Sequence, residues 1–272
     1  MNAGEASEEA RPPLRTRVLT AAVLIPLALG SVAAGGRLYA ALIAAMTIFL
    51  LFEWTRMVDG AEMRRGFYVL SATAAVASYL AAGGLPLWGL GAALMGGAIA
   101  TVLEWPKPSP PSWPAVGALY IIVPAVAALW LRRDAPEGGF LTLLLFISVW
   151  AADSAAYLSG KSFGGPKLVP RISPNKTWAG AIGGVLGAGL AAGALALLVK
   201  PHEAGGSLLL GFVLGAAAVV GDIIESSIKR RYGVKDSGGA FPGHGGVLDR
   251  LDGFLFAVFA LAVIVLLLQG VG

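Results

Sequence analysis

Between Gly221 and Asp252 the chain sets carboxylates, hydroxyls and cations in close order. It reads Gly221-Asp222-Ile223-Ile224-Glu225-Ser226-Ser227-Ile228-Lys229-Arg230, then Lys235-Asp236. Phe241-Pro242-Gly243-His244-Gly245-Gly246-Val247-Leu248-Asp249-Arg250-Leu251-Asp252 follows. On a continuous helix Asp222, Glu225, Ser226 and Lys229 share one face, and Asp249 and Asp252 share another where the last apolar run begins. Two acid-bearing helix ends facing each other make an oxygen-rich cage. Magnesium takes one or two carboxylates and fills its shell with water and phosphate, so the supply suffices. Glycine pairs at 238–239 and 245–246 let the backbone approach a ligand closely. The plainer reading is a loop of mutually neutralising charges, but neutralisation alone does not call for clustered carboxylates at a membrane boundary.

Two further groups lie upstream. Asp153 sits inside an otherwise apolar run. A carboxylate at membrane depth costs about 2.5–3.5 kcal/mol on insertion scales, which makes a functional role the default and a protonated interhelical bond the alternative. After it, a loop runs from Gly160-Lys161-Ser162 to Arg171-Ile172-Ser173-Pro174-Asn175-Lys176-Thr177. A phosphate-binding P-loop is excluded, because its first glycine would fall at Ala155 and no strand precedes the loop. Ser173 or Thr177 could simply cap the next helix. Hydroxyls and a lysine at a helix N-terminus are equally what a polyphosphate needs, since free N–H groups and the helix dipole point at it.

The elements that must position these groups follow from composition. Of the 272 residues, 57% are hydrophobic and 13% charged, against about 25% charged in soluble domains. Mean hydropathy is +0.76. These values exclude a soluble enzyme, a disordered chain and a fibrous one. The absence of cysteine excludes disulfides, thiolate metal sites and a cysteine nucleophile, and two histidines cannot build a multi-histidine centre. Any metal must be held by oxygen.

Nine stretches approach the about 20 apolar residues that a membrane helix needs. They are Val18–Ala34, Leu38–Phe52, Phe67–Ala82, Leu85–Leu103, Ala115–Leu131, Phe140–Leu158, Trp178–Val199, Ser207–Ile224 and Gly253–Leu268. Continuous rather than alternating apolarity argues for helices and against a barrel. The expected fold is therefore all-α: a polytopic membrane bundle of about nine transmembrane helices. With nine spans, sixteen of the 20 lysines and arginines fall on one side, leaving Arg37, Arg132, Arg133 and Lys200 on the other. The positive-inside rule then puts the N-terminus in the cytoplasm and the C-terminus outside. A signal peptide is the lesser reading of the first run, which is long for one.

Residues 1–13 read as a disordered cytoplasmic tail, 14–139 as an N-terminal scaffold of five spans, and 140–272 as a catalytic region of four spans with two cytoplasmic motif loops. The net charge of +4 reflects those loops and gives no support for nucleic-acid binding. No internal repeat is evident. Glycine pairs Gly180/Gly184, Gly183/Gly187 and Gly211/Gly215 predict close contact by the seventh and eighth spans.

The run from Ser226 to Asp252 resembles the signature of the phosphatidate cytidylyltransferase (CDP-diacylglycerol synthase) family. It matches at Ser226 to Arg230, at Lys235-Asp236, and from His244 through Asp252. Asp153 to Gly180 is also similar, at Ala156-Tyr157, Phe163-Gly164, Lys167-Leu168, Ser173-Pro174 and Lys176-Thr177. It departs at Gly165-Pro166, where a basic residue is expected, and at Ala179, where a glutamate is usual. The resemblance covers the C-terminal half.

It implies a magnesium-dependent reaction of CTP with phosphatidate at a bacterial inner membrane, on the cytoplasmic side, and a homodimer. It implies that Asp222 and Asp249 hold magnesium and that Asp252 completes the cage or holds a second cation. Lys229, Arg230 and Arg250 would neutralise phosphate charge. Ser226 would bond a phosphate oxygen, and Ser173 and Lys176 would close over the nucleotide, with Asp153, Lys235 and His244 also at the substrates. A cation- or proton-coupled transporter is the rival, and it predicts acids near the midplane of several spans. A CDP-alcohol phosphotransferase is a second rival, but its aspartate pattern differs from the one here.

Overall fold

A computed structural model describes residue 22, residues 26–60, 63–105, 113–238 and 246–271. Among these, nine helices follow one another, each on one of the nine apolar stretches. They are α1 (26–34), α2 (Gly36–Asp59), α3 (Arg65–Ala82), α4 (Pro86–Leu103), α5 (Trp113–Arg133), α6 (Gly138–Phe163), α7 (Trp178–Val199), α8 (Ala204–Arg231) and α9 (Leu248–Val271). Seven of them, α2 and α4 to α9, are long and apolar enough to cross a membrane. The eighteen residues of α3 include Tyr68, Ser71, Thr73, Ser78 and Tyr79 and are less apolar. The chain is an all-α membrane bundle.

Local chemistry sets the breaks. Gly35 and Gly36 have φ of 58° and 52°, a left-handed conformation that separates α1 from α2 at little cost because glycine has no β-carbon. A π-turn at Ala118–Ile122 interrupts α5. Pro124 lacks the N–H that would bond the Tyr120 carbonyl, and a widened turn absorbs that gap.

Connections sort onto two ends. At one end Arg132 Nε donates to the Val32 carbonyl at 2.7 Å, and Lys200 pairs with Glu137. At the other, Gly66 N–H donates to Glu104 at 2.7 Å. Trp113 there touches both Trp54 and Tyr232, with ring centroids 5.9 and 5.0 Å apart. This second end also receives the 160–177 loop and the signature, as the alternation of nine spans requires.

The loop before α7 is a two-stranded antiparallel hairpin, β1 (Lys167–Val169) and β2 (Ser173–Thr177), with Lys167 opposite Thr177 and Val169 opposite Ser173. Of the two candidate caps, Thr177 is the one used: its hydroxyl accepts the Gly180 N–H at 3.1 Å. The expected close contact by the seventh and eighth spans is present: Gly211 and Gly215 of α8 meet α7 at Ala192 and Ala188, while Gly180, Gly183, Gly184 and Gly187 of α7 also face α6. A β-carbon on Gly184 would meet the Ala152 carbonyl and Ala156, 3.1 Å from each. Small residues thus join α6, α7 and α8 into a tight layer, because backbones can approach only where side chains do not stand between them.

Candidate functional site

The acidic cage forms where α8 and α9 cross. A β-carbon on Gly221 would stand 2.6 Å from the Asp252 carbonyl, and one on Gly253 would stand 3.2 Å from the Ala218 carbonyl. Two glycines on facing helices therefore permit a crossing that side chains would block, and each precedes or follows an acid. Asp222, Glu225 and Asp252 converge there, with one carboxylate oxygen from each within 4.8 Å of the others. Glu225 is 1% exposed and Asp252 8%. The continuation of α8 beyond Ile224 to Arg231, expected from the shared face, is what brings Glu225 into the cluster.

Cations surround the acids on two sides. Lys229 Nζ lies 2.5 Å from Glu225 and 2.8 Å from Asp249. Lys176, carried in by β2, pairs with Asp222, and its ammonium donates to the Ser226 hydroxyl at 3.4 Å. The hairpin is fastened by Arg230, whose Nε donates to the Ile172 carbonyl at 3.1 Å. The two upstream and downstream motifs thus meet in space, although Lys176 and Asp222 are far apart in sequence.

Asp249 lies beside the cluster, on the cavity that Asp222 also lines, and is held there by several donors. Its Oδ1 accepts from Lys229, and its carboxylate also takes the Ser237 N–H at 3.1 Å and the Gly246 N–H at 2.8 Å. These are charge-assisted bonds that fill its lone pairs. Glu225 joins Asp222 and Asp252 as a third acid of the cluster, and the sequence reading had placed it on the same face as Asp222 without counting it as a ligand.

A cavity of about 250 Å³ opens beside the cluster between α6, α8 and α9. Asp153, Asp222, Asp249, Arg250 and Asp252 all line it. Asp153 therefore opens onto the same cavity as the signature acids. Ser173 lies half-buried on β2, and Lys235 is exposed beyond α8. His244 falls outside the described residues.

One residue was missed altogether. Glu53 of α2, 2% exposed, accepts the N–H groups of Val247 and Leu248 at 3.0 and 2.7 Å and the Ser237 hydroxyl at 3.4 Å. Its only sequence signal was a carboxylate near the end of an apolar run, which generic interfacial placement explains equally well.

The donor set is all oxygen and suits a hard cation such as magnesium. Both oxygens of Glu225 are buried without a hydrogen bond of good geometry, although Lys229 is close. Three carboxylates so near one another repel unless a cation or protons compensate them.

The whole chain also has relatives. The model of the cytidylyltransferase family matches residues 15–268. The phosphatidate cytidylyltransferase of Brucella suis is 38% identical over 251 residues, covering 90% of each chain. That of Pseudomonas aeruginosa is 39% identical over 264 residues, covering 90% of this chain and 94% of its own. That of Haemophilus influenzae is 36% identical over 283 residues, covering 90% and 96%.

Proposed function

The chain belongs to the cytidylyltransferase family, and from that membership we propose that it is a nucleotidyltransferase making CDP-diacylglycerol in phospholipid biosynthesis. CTP and phosphatidate are the substrates, and CDP-diacylglycerol and pyrophosphate the products. An oxygen of the lipid phosphate attacks the α-phosphorus of CTP, the bond from that phosphorus to the bridging oxygen breaks, and pyrophosphate leaves with the electron pair. A phosphate monoester has a second pKa of about 6, so the nucleophile is already largely dianionic at neutral pH and no general base is required. What the site must do is bring anions together and hold them in line.

The acidic cluster at the α8–α9 crossing carries this reading. Asp222, Glu225 and Asp252 are the residues that would hold magnesium. Bound there, the ion supplies charge neutralisation on the triphosphate and its leaving group. The chain's own cations do the rest. Lys229 and Arg250 face the phosphates from the α8–α9 side, and Lys176 and Arg230 from the hairpin side, while Ser226 and Ser173 offer hydroxyls to phosphate oxygens. Asp249 braces Lys229 beside the cluster. Asp153 supports the nucleotide from the cavity wall, Lys235 stands at the approach to the site, and His244 keeps the substrate role that the resemblance implies. A second cation belongs to the same reading.

The apolar helices and the bacterial relatives support an integral protein of the cytoplasmic membrane, and the bias of basic loops supports a site that faces the cytoplasm. The homodimer that the resemblance implies has no support among the described residues.

The test gives purified protein in mixed micelles radiolabelled CTP and phosphatidate, with and without magnesium. Label should pass into the lipid phase, with pyrophosphate in equal amount, only when magnesium is present. Folded protein that leaves all label in the aqueous phase under those conditions would overturn the assignment.

A further inference from the structure

Glu53 is the point at which the N-terminal helices reach the signature. Its carboxylate accepts from Leu248, the first N–H of α9, and from Val247 just before it. An α-helix leaves its first donors without intrahelical partners, and its dipole favours a negative charge beside them. Glu53 thus caps α9 from another helix. It also takes the Ser237 hydroxyl at 3.4 Å, on the other strand of the loop.

The glycines beside it are fitted to that carboxylate. A β-carbon on Gly238 would stand 2.6 Å from Glu53 Oε1, and the next two nearest atoms would also belong to Glu53. A β-carbon on Gly246 would stand 2.8 Å from Oε2. Across the same two strands Asp249 accepts from the backbone of Ser237 and of Gly246. The neck of the 237–248 loop is therefore held between two carboxylates, one from α2 and one from α9. The α2 end is itself fixed, since the Trp54 ring stacks on Tyr120 with centroids 5.5 Å apart and lies against Trp113.

We propose that Glu53 is a positioning residue: it closes the neck of the signature loop, and so fixes Asp249 and, through Asp249, the ammonium of Lys229 at the acid cluster. This rests on the transferase reading above. Two oxygens are needed because three donors converge. Glutamine would turn an amide N–H₂ toward one of them and lose that bond.

The experiment uses the full-length protein in detergent, with three readouts. Hydrogen exchange at the Val247 and Leu248 amides should speed up by about tenfold or more in Glu53→Gln, while amides in α6 and α7 keep their wild-type rates. Turnover in Glu53→Gln should fall by about tenfold or more with KM for phosphatidate unchanged, because the loss lies in the placement of Lys229 and not in lipid binding.

The third readout is a double-mutant cycle. Gly238→Ala should lower kcat by about tenfold in the wild type, yet by less than about twofold in a Glu53→Ala background, where the obstructing carboxylate is gone. Equal losses from Gly238→Ala in both backgrounds, or unchanged exchange at Val247 and Leu248, would overturn the clamp. Wild-type protein that makes no CDP-diacylglycerol would instead sink the transferase reading and the positioning role with it, and the exchange readout would still decide whether the clamp exists.

Discussion

Asp249 and Asp252 stand one helical turn apart at the start of α9, both near Glu225, and they differ in the donors around them. Asp249 is saturated with donors: the Lys229 ammonium at 2.8 Å and the backbone of Ser237 and Gly246. Asp252 accepts the N–H of its neighbour Gly253 at 2.7 Å and looks onto two more carboxylates, those of Asp222 and Glu225. Two acids that look alike in the sequence therefore have different work. A carboxylate already filled by donors braces what it touches, whereas one crowded by its own kind needs a cation from elsewhere. In the proposal above, Asp252 with Asp222 and Glu225 forms the cation-binding pole, and Asp249 with Lys229 and, beyond the loop, Glu53 forms the bracing pole.

The sharpest way to break this contrast is to neutralise each pole in turn. Asp252→Asn and Asp222→Asn should each lower kcat by at least about a hundredfold, or about 2.7 kcal/mol of transition-state stabilisation. Asp252→Asn should not melt earlier than the wild type in the absence of metal, because it removes a repelling charge and no ion pair. Asp249→Asn should also lose activity but should melt measurably earlier, since breaking a buried pair from one side leaves Lys229 under-compensated. Turnover is measured beside a detergent melting curve. If Asp249→Asn keeps its melting temperature and Asp252→Asn does not, the two assignments are the wrong way round.

Magnesium separates the poles again, with a smaller effect. A ligand that binds only the folded state stabilises it by mass action, by about 2.7 kcal/mol at a hundred times its dissociation constant. Added magnesium should therefore raise the melting temperature of the wild type and of Glu53→Gln, and leave Asp252→Asn unmoved. A rise in Asp252→Asn equal to that of the wild type would place the ion elsewhere.

The sequence showed one pole far better than the other, for a physical reason. Asp222 and Glu225 share a helical face, so local periodicity displays them. The nine apolar runs show equally well, since length and hydropathy are properties of a single segment, and apart from Leu85 every described part of those runs is helical. The bracing pole depends on contacts between segments. Glu53 meets Val247 and Leu248 across 194 and 195 positions, and no spacing rule spans that distance. The same limit explains the glycines of α7: a small-residue stripe states that something packs closely, and only the fold says that α6 is the neighbour as well as α8. The hairpin was hidden too, because strands of three and five residues leave no resolvable period.

Asp153 tests how far the cation-binding pole extends. It lines the same cavity as Asp222 and Asp252 but belongs to α6. Asp153→Asn keeps the shape and removes the charge, and it should lower kcat/KM for CTP by about tenfold or less, with stability near wild type. Asp153→Leu should be no less stable than wild type, because a charge within an apolar membrane span is itself costly. Full activity in Asp153→Asn together with early melting would make Asp153 a structural hydrogen-bonding group, and the pole would then end at α8 and α9.

The smallest effect is expected at the opposite end of the bundle, where charges also gather without forming a site. Lys200 pairs with Glu137 and lies 3.3 Å from Glu203. The hydrogen bond to Glu137 holds its ammonium above the usual lysine range, against the opposing effect of desolvation. A cation whose folded pKa is raised contributes stability that is complete below its unfolded value, about 10.4, and fades as pH rises through the folded one. Lys200→Met should therefore melt slightly earlier than wild type at neutral pH, and the gap should close only in strongly alkaline buffer. Turnover with CTP and phosphatidate should not change, since no contact links this pair to the α8–α9 crossing among the described residues. A loss of turnover in Lys200→Met would mean that the far end of α7 and α8 communicates with the acid cluster, and the separation between bracing and catalytic charge would have to be drawn along the helices instead of at their crossing.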